Sequence, residues 1–224
     1  MARLRPWLSL LVGPLCLAAC FVLAALALVA TGTATPQTVG ATLSSAPVAP
    51  ATAGFALALV VVTRWFARAD GLTLASLGWS RPSTKDAALA LGAALAFAPL
   101  NTFVFFPLVQ RADPSFDATA GTVPLAGALL MFGVAVVAEE TIYRGYALLT
   151  LKARLGPVGA VVATSVAYAL LAPGATWPPK AWALGFGAFA AALRLWRGSL
   201  WLPAAVHLAA SLTPKLIALA SPAA

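Results

Sequence analysis

Apolar stretches of about twenty residues recur along this chain from Trp7 to Leu219, separated by short loops. A helix of that length crosses a hydrocarbon core of roughly 30 Å. It also satisfies its own backbone polar groups, as lipid requires. The chain is 62% hydrophobic and 9% charged, whereas a soluble domain carries about 25% charged residues. These features predict an all-α protein, a polytopic transmembrane helix bundle of about seven spans (six to eight), with no separate soluble module.

The first stretch, Trp7 to about Ala30, follows Arg3 and Arg5. The apolar region of a signal peptide is about 7–15 residues long, so this one reads as a retained span. Leu17-Ala18-Ala19-Cys20 resembles a lipoprotein cleavage box. The sequence stays apolar past Cys20, however, where a lipoprotein would turn polar. Cys16 and Cys20, one turn apart in this run, read as small apolar fillers rather than a disulfide or metal pair. Residues 31–51 are uncharged and rich in Thr, Ala, Ser and Pro, which predicts an external loop. Further spans are predicted at about Thr52–Phe66, Asp86–Val109, Pro124 into the Glu139-Glu140 pair, Pro157–Ala172, Ala181–Leu195 and Ser199–Leu219. The chain divides into N-terminal spans with their loop, 1–71, and a membrane core, 72–220.

Orientation follows from the basic residues. With the N-terminus cytoplasmic, Arg3, Arg5, Arg64, Arg68, Arg81, Lys85, Arg144, Lys152, Arg154, Arg194 and Arg197 fall inside, leaving Arg111, Lys180 and Lys215 outside. The positive-inside rule favours that arrangement. Trp7, Trp65, Trp79, Trp177, Trp182, Trp196 and Trp201 lie near span ends, as an interfacial belt requires. The net charge of +8 is thereby explained by topology. The expected partner is membrane lipid, not nucleic acid; the oligomeric state is left open.

Within this frame one stretch calls for chemistry: Val137–Leu151, VAEETIYRGYALLTL. It sets two of the chain's 6 acidic residues, Glu139 and Glu140, side by side at the end of an apolar run. Ionisable groups at membrane depth are costly and ordinarily face a protein interior for a function. Arg144 follows Glu140 by four residues, the spacing of a helical ion pair, while Glu139 falls on a neighbouring face with Tyr143 one turn on. By itself such a string marks only the charged end of a span. A continuous helix from Pro124 to Arg154 would run roughly 46 Å, so the segment must tilt, break or project from the membrane. His207, the only histidine, sits within SLWLPAAVHLAAS about seven residues into the last span. The fourth span ends and the seventh begins on the same side, so His207 and the Glu pair can share a depth. A lone buried histidine is ordinarily a hydrogen-bonded packing residue. Ser211, one turn further on the same face, ordinarily bonds its own backbone. There is no His-Glu-x-x-His, Gly-x-Ser-Gly or Gly-x-Gly-Asp string, and no metal or cofactor is predicted. A transporter using the Glu pair as a proton site has only the charges in its favour.

The AEETIYRGY string, followed two spans later by SLWLPAAVHLAAS, resembles the CAAX-protease and bacteriocin-processing (CPBP, Abi-type) family, Rce1-like intramembrane glutamic endopeptidases. LTLASLGWSRPSTKDAAL resembles the stretch that precedes their core, so the resemblance covers about residues 72–212. The family pattern is Glu-Glu-x-x-x-Arg, then Phe-x-x-x-His, then His-x-x-x-Asn. The resemblance implies that Glu139 activates water with help from the middle-motif histidine, that His207 and the residue at Ser211 stabilise the oxyanion, and that Glu140 and Arg144 mostly support them. Glu139, Glu140 and His207 are the candidate catalytic residues, and Tyr168, one turn before Ala172, is by position a candidate supporting hydrogen-bond donor. It also implies a membrane-anchored or lipidated peptide or protein as substrate, and a bacterial inner membrane as the location. The middle motif departs from the pattern: Tyr168-Ala-Leu-Leu-Ala172 has Tyr for Phe and Ala for His. In the last motif Ser211 replaces Asn, although a hydroxyl can still donate one hydrogen bond. A catalytically impaired member acting as a membrane scaffold is therefore the alternative.

Overall fold

The computed structural model describes residues 4–11, 26, 29–32, 35, 49–114, 133–171 and 176–220, and these are helices and short connections with no strand among them. Most of the first predicted span, both cysteines, Pro124 and Ala172 lie outside the described residues. Helix α1 is Ala49–Ala69, α2 is Leu74–Leu77, and α3 is Thr84–Leu100, which continues through a wide π-helical turn, Asn101–Phe105, into α4, Phe106–Ala112. Helix α5 spans residues 133–155 and includes a second π-helical segment, Glu140–Ala147. At Gly156, with φ 71° and ψ 175°, the chain leaves helical geometry. It resumes as α6, residues 157–171, so Gly156 separates the fourth from the fifth predicted span, and the described part of the overlong fourth segment runs on as one helix. Helices α7, Trp177–Arg197, and α8, Trp201–Ala220, complete the bundle.

Local sequence explains the boundaries. Ser83 and Asp86 form a reciprocal capping box at the start of α3, the placement expected of Asp86. Its other carboxylate oxygen accepts from Arg197 Nη2 at 2.6 Å, tying the start of α3 to the end of α7. Thr73 and Ser76 form the equivalent box on α2, which ends at Gly78 with φ 110°. An L side chain is strained at that φ, and a Cβ there would also meet the Arg194 guanidinium carbon at 2.9 Å. Gly78→Ala should therefore lower stability by about 1–3 kcal/mol, read as a lower melting temperature in detergent.

Among the described residues, two regions are apolar and long enough to cross a membrane, Thr84–Ala112 and Gly133–Leu170, the second broken at Gly156. Val158, Val162, Val166 and Leu170 form an exposed stripe along α6, whereas Ala160, Ala167 and Tyr168 are buried. Small residues let the other faces approach closely. Gly187 on α7 leaves only 3.2 Å between its would-be Cβ and the Ser165 backbone on α6. The core joins Ile142, Tyr143 and Leu151 of α5 to Tyr168 of α6, Phe186 of α7 and Val206 of α8. Arg5, the α1–α3 connection and the α7–α8 turn share one end of the bundle. Arg5 pairs with Asp70, Leu200 N–H donates to Gly78 O, and Trp201 Nε1–H donates to Ser80 O. At the other end the Thr176 hydroxyl donates to Asp113.

Candidate active site

The π-helical segment begins where Thr141 Oγ1–H donates to the Val137 carbonyl at 2.5 Å. A side chain that takes up a backbone acceptor perturbs the regular i→i−4 ladder, and π turns are frequent at functional sites. Trp79 Nε1–H donates to the same Thr141 hydroxyl at 2.8 Å. Trp79 also stands edge-on to Trp201, with centroids 5.1 Å apart. The Leu-Gly-Trp-Ser turn thus holds the segment that carries the Glu pair against the start of α8.

His207 of α8 is where three elements meet. Its Nδ1 lies 2.9 Å from Glu140 Oε1 and its Nε2 lies 3.1 Å from Tyr168 Oη. Glu139 Oε2 is 3.8 Å from Nε2. An ionised Glu140 can only accept, which assigns the proton of a neutral His207 to Nδ1 and leaves Nε2 to accept from the Tyr168 hydroxyl. Arg144 Nη1 stands 3.2 Å from the same Glu140 oxygen, both side chains fully enclosed. Its guanidinium lies 4.3 Å from the Tyr168 ring centroid, within cation–π range. Glu140 is therefore held on two sides. Glu139 differs: its side chain is 32% exposed, and its contact to His207 is longer than a hydrogen bond.

Of the residues named from the sequence, Glu139, Glu140, Arg144, Tyr168 and His207 come together. Ser211 is half-buried on α8 and takes no part in these contacts. Glu140 Oε2, Tyr143 Oη and both terminal nitrogens of Arg144 are buried without a hydrogen-bond partner among the described residues. Unpartnered buried polar atoms are rare and call for a reason; of the seven among the described residues, these four belong to Glu140–Arg144, and the others are on Thr102, Ser165 and Arg194.

Sequence reasoning passed over two contributors. Asn101, the single asparagine of the chain, is fully buried in the π turn after α3. Its side-chain amide donates to the Ala210 carbonyl at 3.2 Å, and its oxygen accepts from Trp182 Nε1 at 3.1 Å. A lone carboxamide inside an apolar run was the available signal. Phe186 is the other, its ring 5.0 Å from that of His207. It also lines an apolar groove of about 700 Å³ between α3–α4 and α7, together with Phe97, Phe105, Val109 and Trp182. Phe186 is thus shared by that groove and the ring cluster around His207.

Residues 121–213 match the family model of the Rce1-like proteins, described as type II CAAX prenyl endopeptidases. No curated protein and no solved structure matches the chain. The members of that family are membrane proteins, in keeping with the two membrane-capable helices. The matched residues 121–213 are those in which α5 to α8 bring Glu139, Glu140, Arg144 and His207 together, and over that stretch the chain is similar to the Rce1-like family.

Proposed function

We propose that the protein is an intramembrane glutamic endopeptidase of seven spans, N-terminus cytoplasmic, cutting membrane-anchored peptides near the cytoplasmic face. The family match supports a CAAX-type intramembrane protease, whose substrates are membrane-associated prenylated proteins. The observation that carries the assignment of roles is the contrast between the two carboxylates. Glu140 is enclosed by Arg144 and His207, whereas Glu139 is partly open and makes only the longer 3.8 Å contact to His207. Glu139 is the base. Water loses a proton to Glu139 as its oxygen attacks the scissile carbonyl, and that proton passes to the leaving amine when the C–N bond breaks. Glu140 and Arg144 are positioning residues for His207. The imidazole, its Nε2 held by Tyr168, stands beside the developing oxyanion. The apolar groove at Phe186 is suited to the substrate's hydrocarbon chain.

The test compares new peptide termini, by mass spectrometry of membranes, between native protein and Glu139→Ala at matched expression. Termini present only with the native chain are expected; identical sets would instead support the scaffold reading, which the sequence favours through Ala172. Ala172→His is the companion variant, because cleavage gained there would show a scaffold lacking only that side chain. Tyr168→Phe removes one hydrogen bond worth about 1 kcal/mol. It should lower kcat roughly two- to tenfold with KM unchanged, and an unchanged kcat would dispose of its role.

A further inference from the structure

A second cavity, of about 410 Å³, lies at the end of the bundle where α1 finishes, away from the candidate active site. Arg64 and Arg68, one turn apart on α1, line it together with Thr73 and the apolar side chains of Leu72, Leu74 and Leu77. No acidic residue lines it. Neither arginine has an ion-pair partner among the described residues. The nearest carboxylate along the chain, Asp70, is already engaged by Arg5 at 2.5 Å and by the Tyr146 hydroxyl at 2.6 Å. Thr73 Oγ1 accepts from Ser76 N–H and leaves its own proton to donate. Trp65, between the two arginines in sequence, is exposed, as a side chain at a membrane interface would be.

We propose that this cavity binds the phosphate group of an anionic membrane lipid. Guanidinium forks match phosphate oxygens, the Thr73 hydroxyl supplies a further donor, and the lining leucines receive the start of an acyl chain. The charge and the amphipathic lining together favour a lipid over a free anion. Arg64 and Arg68 are also among the basic residues that set orientation. A bound lipid would touch Ala67 and Leu77, which pack with Phe66 on Tyr146 of the π-helical segment.

The test is native mass spectrometry of the purified full chain in detergent with added dioleoylphosphatidylglycerol, dioleoylphosphatidylcholine or inorganic phosphate. A retained phosphatidylglycerol adduct is expected, with binding about tenfold weaker in R64A/R68A. Little change is expected in R81A/K85A, which removes the same charge from the same end. R64Q/R68Q, which keeps more of the side-chain length, should match the alanine pair. Equal phosphatidylglycerol binding by native and R64A/R68A protein would overturn the proposal, as would equal loss in R81A/K85A. Displacement of the lipid by an equal concentration of inorganic phosphate would overturn the lipid in favour of a free anion.

Discussion

Glu139→Gln should reduce peptide cleavage by about 10²–10⁴-fold, the usual contribution of a positioned general base, while leaving the melting temperature close to native. The two halves of that expectation rest on the same geometry. Glu139 is partly exposed and stands 3.8 Å from His207, beyond hydrogen-bond distance, so its amide replacement breaks no hydrogen bond. Neutralising it removes the acceptor for the water proton while His207 keeps its 2.9 Å contact to Glu140. Cleavage of a membrane-anchored reporter peptide by purified protein, alongside thermal unfolding, measures both. A variant that cleaves at the native rate would remove Glu139 from the base role. One that fails to fold would make the residue structural.

Arg144→Met should have the opposite profile, a large loss of stability. Arg144 and Glu140 are both fully enclosed, 3.2 Å apart. Removing one partner of a buried pair strands the other charge at a cost of about 3–5 kcal/mol. Replacing both can be neutral, because the desolvation penalty leaves with the pair. E140Q/R144M should accordingly recover much of the stability lost in R144M without recovering cleavage, since His207 then loses its ionised partner. Equal unfolding midpoints for native and R144M would show that the enclosed pair contributes nothing to the fold.

Much of this was legible in the sequence for identifiable reasons. Apolar stretches of bilayer length specify helices almost independently of context. Capping chemistry placed Asp86 at a helix start. Glu140 and Arg144 announce a pair through their four-residue spacing, and His207, as the sole histidine, drew attention by rarity. Illegible features depend on contacts between distant segments. No local pattern tells that Tyr168 meets His207, that Trp79 bonds Thr141 across 62 positions, or that Arg194 turns inward to donate to the Leu77 carbonyl at 3.0 Å. Arg194 reads in sequence as one more positive charge at a span end. Its burial follows from Gly78, whose missing side chain makes the room.

The wide segment Glu140–Ala147 has a consequence for azimuth. Each residue of an α-helix turns the chain by roughly 100°, so the face presented by Glu139 dictates, in a regular helix, the direction of every later side chain. Loosening eight residues resets that phase. The carboxylates can point at His207 while Leu148 and Leu151, further along the same rod, still point into the core. Deleting one residue here would restore a uniform winding and rotate one half against the other by about a quarter turn. Either the carboxylates or the leucines would then face the wrong neighbour. The π segment is a phase adjuster, and through it one rod serves two partners whose bearings no single helical repeat could satisfy.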